Sequence, residues 1–141
     1  GGPGNEGAHI GWEVAMISGI GTDLCRISRI ERAIDRFGEK FARKILVDDE
    51  FHRFRKLDKP GAFLAKRFAA KEAFSKALGT GLRFPVTWRN VELWNDPSGK
   101  PGLKCLGPLC EFVEERGITG IHVSLADEPD FALAFVVLEC S

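Results

Sequence analysis

Glu72 and Lys76 stand four residues apart in the run RFAAKEAFSKALGTG, from Arg67 to Gly81, and both carry ionisable groups in a largely apolar segment. Residues 61–79 follow a helical pattern, and at about 100° per residue the apolar side chains cover nearly the whole circumference. Leu64, Ala65, Phe68 and Ala69 surround the sector into which Glu72 and Lys76 project. A helix that is apolar almost all round expects burial, and charges in such a surface are costly unless paired or bound to an ion. One reading is a plain helix-surface salt bridge, since Glu precedes Lys at the favourable i,i+4 spacing. The other is a ligand site. Asp23 closes a short apolar run, residues 17–24 (ISGIGTDL), which carries two glycines and reads as a buried strand delivering a carboxylate at its end. Asp23 from a strand and Glu72 from a helix could together hold a hard divalent cation. Mg²⁺ takes one or two protein carboxylates and completes its shell with waters and substrate phosphates. Lys76, one turn beyond Glu72, would then neutralise a phosphate oxygen on the same ligand.

The elements that must position these groups follow from the pattern along the chain. The strand at 17–24 leads into a helix over 28–37, with Ser28 as a candidate N-cap and Gly38 as a stop. Ile27, Ile30, Ala33, Ile34 and Phe37 form its apolar face, and Arg26, Arg29, Arg32 and Arg36 run along a flank. A short helix over 39–46 follows. A third, capped by Asp48 or Asp49, runs to about Leu57, where the Asp58-Lys59-Pro60-Gly61 turn ends it. After the long helix the character changes. Strands are expected at 91–94 and 103–106 around a turn-rich Asn95–Pro101 link, then a helix over 108–116 with proline in its first turn. Residues 121–125 and 131–138 read as a hairpin. Helices early and strands late define an α+β class: one small domain with helices packed on a largely antiparallel sheet.

Composition agrees with one domain that buries a core: 141 residues, 44% of them hydrophobic and 28% charged. No stretch reaches the roughly 18 apolar residues of a membrane span, and no secretion signal is recognisable. The sole methionine is Met16. The glycine-rich residues 1–15 read as a vector-derived leader, which sets His9 and Trp12 aside and puts the domain at 16–141. Cys25, Cys105, Cys110 and Cys140 form neither a zinc pattern nor a disulfide framework, and point to a reducing, cytoplasmic setting. Net charge is zero, yet residues 26–76 hold 15 basic against 8 acidic side chains, which suggests an anionic partner or ligand. A nucleic-acid-binding domain would explain that excess, but few aromatics interleave the basic stretch and no zinc or RNP-like motif is present.

The wording around the charged residues is more specific. IGTD near the start, FLAKRFAAKEAFSKALGTG in the middle, a GKP turn, and HVSLADE before the last strand occur in this order. Together they resemble the holo-acyl-carrier-protein synthases, the small bacterial 4′-phosphopantetheinyl transferases, over residues 16–139. The resemblance implies transfer of phosphopantetheine from coenzyme A to a serine hydroxyl of apo-acyl carrier protein, in support of fatty acid biosynthesis, with release of adenosine 3′,5′-bisphosphate. Positioning and charge neutralisation dominate such phosphoryl transfer. It implies Mg²⁺ held by Asp23 and Glu72, and Lys76 on a phosphate. The serine proton would go to Glu72, directly or through a water on the metal. Arg67, by its helix position a solvated arginine, moves by resemblance to the nucleotide phosphates. Gly79, at the start of Gly79-Thr80-Gly81, and Lys100 and Pro101 of the GKP turn would border the coenzyme. A non-catalytic coenzyme- or nucleotide-binding module would not need the carboxylate pair.

One departure stands out. Many relatives read Ser-His where this chain has Ala126-Asp127, so a histidine base is missing from that position. His122 cannot replace it, because strand side chains alternate faces. Asp127 either hydrogen-bonds at the site or caps a turn. The arginines of the first helix, with Ile30 and Phe37 beside them, are a solvated face or a docking surface for an acidic helical carrier protein. By resemblance Arg29 leads that surface and Arg32 and Arg36 support it, with charge mainly speeding and orienting encounter. A homotrimer with sites between subunits is likewise implied, and the apolar strand at 131–138 suits burial in a core or at such an interface.

Overall fold

Two glycines let the first strand among the described residues lie directly on the longest helix among them. In the computed structural model, which describes residues 14–141, β1 (Met16–Arg26) runs across α4 (Gly61–Leu78). A Cβ at Gly19 would fall on the Ala77 carbonyl, and one at Gly21 on the Ala73 carbonyl, 2.7 Å from the Ala77 amide nitrogen. Only glycine allows this approach, and it brings the Asp23 end of β1 over the middle of α4. The expected leader lies almost wholly outside the described residues, with His9 and Trp12.

Between these elements come α1 (Ile27–Phe37), α2 (Glu39–Ile45) and α3 (Asp48–Phe54). After α4 follow a 3₁₀ turn (Trp88–Asn90), β2 (Val91–Asn95), β3 (Pro101–Cys105), α5 (Pro108–Glu115), β4 (Ile118–Asp127) and β5 (Phe131–Cys140). One antiparallel sheet has the order β1-β5-β4, and β2 and β3 form a separate antiparallel hairpin. The α+β expectation holds, including the β4–β5 hairpin.

Register decides which side chains meet α4. Ala132, Ala134, Val136 and Leu138 of β5 are fully buried against it, and their partners are Cys25, Asp23, Gly21 and Gly19 on β1. Directly paired residues share a face. The opposite face carries Ile20 and Leu24 of β1 with Leu133 and Phe135 of β5, which are 58%, 61%, 41% and 40% exposed. The buried strand expected at 17–24 is therefore an edge strand with one open face. β5 is likewise buried on a single face within the protomer.

Helix α4 has charge supplied at both ends from elsewhere in the chain. Its N-cap is Pro60, without a side-chain cap, and the Glu31 carboxylate from α1 packs over Gly61. At the other end Gly79 adopts the left-handed conformation (φ 79°), and Arg116 Nη1 donates to the Leu78 carbonyl at 3.0 Å. An acid at the N-terminus and a base at the C-terminus both oppose the helix dipole.

Some element ends differ from expectation for local reasons. Ser28 lies inside α1 and makes no cap, because Arg26 is the capping residue. Neither Asp48 nor Asp49 caps α3. Its N-cap is Val47, whose amide donates to Glu50 Oε1 at 2.9 Å, half of a capping box. The helix stops at Phe54, three residues short of the expected Leu57. Both strands of the last hairpin extend beyond the apolar runs that marked them, through backbone pairing of polar residues such as Asp127 and Glu139.

Candidate active site

Asp23 faces α4 from β1, and Lys76 of α4 reaches it. Lys76 Nζ donates to Asp23 Oδ1 at 3.1 Å and to the Thr22 carbonyl at 3.0 Å. The lysine side chain is 53% exposed and that of Asp23 only 16%. Lys76 thus pairs across elements with Asp23 and forms no ion pair with Glu72, which overturns the simple i,i+4 salt bridge. Glu72 is half-buried beside the same group. Burial pushes its carboxyl up, the Asp23 carboxylate adds to the shift, and Lys76 and Arg29 oppose it. The Cys25 thiol is buried nearby and raised by that burial.

The donor set suits a hard cation. Two carboxylates of like charge face one patch, and the Lys76 ammonium already rests between Asp23 Oδ1 and the Thr22 carbonyl, marking a position where positive charge is accepted. Among the described residues no cluster of three or more His, Cys, Asp or Glu side chains forms a self-sufficient metal cage. Two carboxylates with a coordination shell open to substrate and water fit Mg²⁺, and do not fit structural zinc.

The other expected site residues are dispersed over the protomer. Gly79 lines a depression of about 350 Å³ with Thr80, Arg83, Phe84, Val86 and Phe112. Lys100 and Pro101 line another, of about 280 Å³, with Trp94, Asp96, Ile121, His122 and Val123. Neither depression includes Asp23, Glu72 or Lys76. Arg29, Arg32 and Arg36 are exposed on α1, as the docking reading requires. Arg29 also lies at the carboxylate site, close enough to lower the Glu72 carboxyl, with its guanidinium carbon 5.6 Å from the Phe68 ring centroid. Arg32 and Arg36 line a shallow depression with the half-exposed Phe37.

Arg67 departs furthest from expectation. It is 4% exposed, its guanidinium stacks 3.6 Å from the Phe63 ring centroid, and Nη1 donates to the Phe63 carbonyl at 3.3 Å. Burial pulls its pKa down to about 10, and its Nε has no hydrogen-bond partner. It is neither a solvated helix arginine nor, in this placement, open to a nucleotide phosphate. Asp127 lies on the α4 face of the sheet, 3.7 Å from Lys66 Nζ. His122 points to the other face and pairs with Glu139 at 2.6 Å.

Sequence reasoning missed Lys71 and Glu50. Besides Arg67, α4 buries a second cation, which is not Lys76 but Lys71, fully enclosed, with Nζ donating to Glu50 Oε1 at 2.7 Å, the Ile45 carbonyl at 2.7 Å and the Trp88 carbonyl at 2.9 Å. The rule that flagged Glu72 and Lys76, charge on an all-apolar helix, applies equally to Lys71. The cysteines are free, and Cys110 Sγ approaches the Cys105 carbonyl at 3.1 Å across the strand-to-helix passage.

The chain folds as an α+β domain in which a strand carboxylate, Asp23, and a helix carboxylate, Glu72, lie beside a lysine, Lys76. The comparisons are specific. The sequence profile of the 4′-phosphopantetheinyl transferase superfamily matches residues 19–136. A holo-acyl-carrier-protein synthase of Thiobacillus denitrificans is 56% identical over 126 residues, covering 89% of this chain and 96% of that protein. The crystal structure of the Neisseria meningitidis synthase superposes with a TM-score of 0.83 at 48% identity, over 87% of this chain and 98% of that one. The Bacillus anthracis synthase, solved in complex with CoA (3′,5′-ADP), gives 0.76 at 38% identity, over 89% and 99%. The chain belongs to the 4′-phosphopantetheinyl transferase superfamily and, within it, to the holo-acyl-carrier-protein synthases.

Proposed function

We propose that this chain transfers 4′-phosphopantetheine from coenzyme A to a serine of apo-acyl carrier protein, releasing adenosine 3′,5′-bisphosphate, and that it requires Mg²⁺ held by Asp23 and Glu72. The observation that carries the metal assignment is the pair of carboxylates brought together from β1 and α4, with Lys76 drawn to Asp23 and away from Glu72. When bound, the cation would polarise the phosphorus under attack and offset the charge of the departing phosphate. Lys76, half-exposed, can swing from Asp23 to a phosphate oxygen. Glu72 is the candidate to accept the serine proton without a histidine, directly or through a water on the metal. Asp127 pairs with Lys66 and takes no proton in this scheme.

Coenzyme contacts are assigned to Gly79, Lys100, Pro101 and Lys76, with Arg67 joining only if it leaves Phe63. A phosphate oxygen would then satisfy its unpartnered Nε. The working enzyme is the homotrimer with sites shared between subunits that the family resemblance implies, a reading supported by the separation of these groups on one chain and by the exposed apolar face of the β1-β5-β4 sheet. Arg29, Arg32 and Arg36 receive the acidic carrier protein. A cytoplasmic enzyme serving fatty acid biosynthesis follows from this substrate pair and the free thiols. No helix among the described residues is long and apolar enough to cross a membrane.

Glu72→Gln and Asp23→Asn test the assignment. Each should keep the fold, raise the Mg²⁺ concentration for half-activation at least tenfold and lower turnover by two orders of magnitude or more. Near-normal turnover of folded Glu72→Gln would reject the metal pair.

A further inference from the structure

Lys71 immediately precedes Glu72, yet its ammonium is fully buried and spends all three of its donors on Glu50 Oε1 and the carbonyls of Ile45 and Trp88. Glu50 is equally engaged: Oε1 also accepts from the Val47 amide at 2.9 Å, and Oε2 accepts from the Leu93 amide at 2.8 Å. One saturated ion pair thus ties the end of α2, the start of α3, the 3₁₀ turn and β2 to a single point on α4. On the far side the helix rests on the β1 backbone through Ala73 and Ala77, where Gly19 and Gly21 permit contact. Successive helical residues are about 100° apart, so Lys71 and Ala73 anchor nearly opposite faces, and Glu72 projects midway between them. Lys76, at about 140° from Lys71, projects into the same interval.

We infer that Lys71 and Glu50 are positioning residues for the transfer reaction, fixing the rotation of α4 so that Glu72 faces Asp23, the two carboxylates that would hold the metal. The sheet holds the face of α4 that carries Ala73 and Ala77, and the buried pair adds a hydrogen-bonded anchor on the opposite face. A carboxylate lies about 5–6 Å from the helix axis, so a 10° rotation moves it by about 1 Å. A displacement of that size can cost roughly a hundredfold in rate. This inference rests on the metal assignment to Asp23 and Glu72.

The test uses Lys71→Met with Glu50→Gln, which removes both charges and avoids a lone buried ion, and Glu50→Gln alone as the harsher second variant, which leaves the buried Lys71 ammonium without its carboxylate. Mn²⁺ binding by electron paramagnetic resonance is measured on protein shown to be folded by circular dichroism, beside turnover with Mg²⁺ and the Michaelis constant for coenzyme A. The expected result for the double variant is at least tenfold weaker Mn²⁺ binding and at least tenfold lower kcat, with the Michaelis constant for coenzyme A within about threefold. Glu50→Gln, in its folded fraction, should show a loss at least as large. A purely structural pair would lower the melting temperature and leave Mn²⁺ affinity and kcat of the folded enzyme unchanged, which would overturn the inference. Glu72→Gln is the control. If it abolishes Mn²⁺ binding while the double variant and Glu50→Gln keep it, the positioning role falls and the metal assignment stands. If all three bind Mn²⁺ normally, the metal assignment falls and the inference with it.

Discussion

Replacing Gly21 by alanine would put a methyl carbon on the Ala73 carbonyl, 2.7 Å from the Ala77 amide nitrogen and 3.1 Å from Lys76 Cβ. Ordinary contact begins near 3.4 Å, so β1 and α4 must separate by more than about 1 Å to clear the Ala73 carbonyl oxygen, the nearest atom. The obstructing atoms are helix backbone, which cannot give way as the tip of a flexible side chain would. Overpacking of this kind costs about 1–3 kcal/mol. For a domain of this size that lowers the melting temperature by roughly 3–15 °C. The same displacement pulls Asp23 away from Glu72 and Lys76, so kcat should fall by about ten- to a hundredfold in protein that is still folded. The assay pairs a thermal melt followed by circular dichroism with single-time-point transfer to apo-acyl carrier protein, read by intact mass. A melting temperature within 1 °C of wild type, together with kcat within twofold, would refute the claim that the glycine exists to bring strand and helix together.

Reversing the charge at Arg29 should raise the Michaelis constant for carrier protein about tenfold, with wild-type affinity for the carrier falling as salt rises; a defect confined to coenzyme A would reject docking on α1. Leu133→Asp, on the open face of the sheet, should convert a sedimenting trimer to folded monomer with little activity, whereas a fully active monomeric wild type would reject the shared site. Asp96 accepts from the Ser98 hydroxyl at 2.6 Å and the Lys100 amide at 2.9 Å, and these hydrogen bonds hold its carboxyl below the ordinary range. The resulting support for the turn carrying Lys100 is full above the unfolded carboxyl's value and is lost as pH falls through the folded one. NMR titration should place the Asp96 midpoint below 3.8, and a midpoint at or above it would contradict the hydrogen-bond account.

Asp23, Glu72 and Lys76 were legible because their signal is local: a carboxylate ending an apolar strand, and two charges on an otherwise apolar helix. Their mutual arrangement was not, since it depends on β1 crossing α4 at two glycines, and a glycine in a strand does not say what approaches it. The wording of the chain sufficed for family and class. Lys71 was overlooked because its partners are Glu50, 21 residues away, and two backbone carbonyls, at Ile45 and Trp88, which leave no side-chain pattern in a sequence. Arg67 looked like a surface residue at its helix position, yet it is buried, with its guanidinium stacked on Phe63, one turn earlier. Capping failed at Ser28 and Asp48 for a simpler reason. Backbone direction at Arg26 and Val47 fixes where a helix starts, and a favourable side chain one or two residues later cannot move that point.

Intact-mass analysis of apo-acyl carrier protein incubated with this chain, coenzyme A and Mg²⁺, beside the same mixture containing EDTA, tests the central claim most directly. The account predicts that the carrier gains the mass of one phosphopantetheine arm with Mg²⁺ and none with EDTA. An unmodified carrier in both mixtures would contradict the transferase reading, and equal modification in both would contradict the metal held by Asp23 and Glu72.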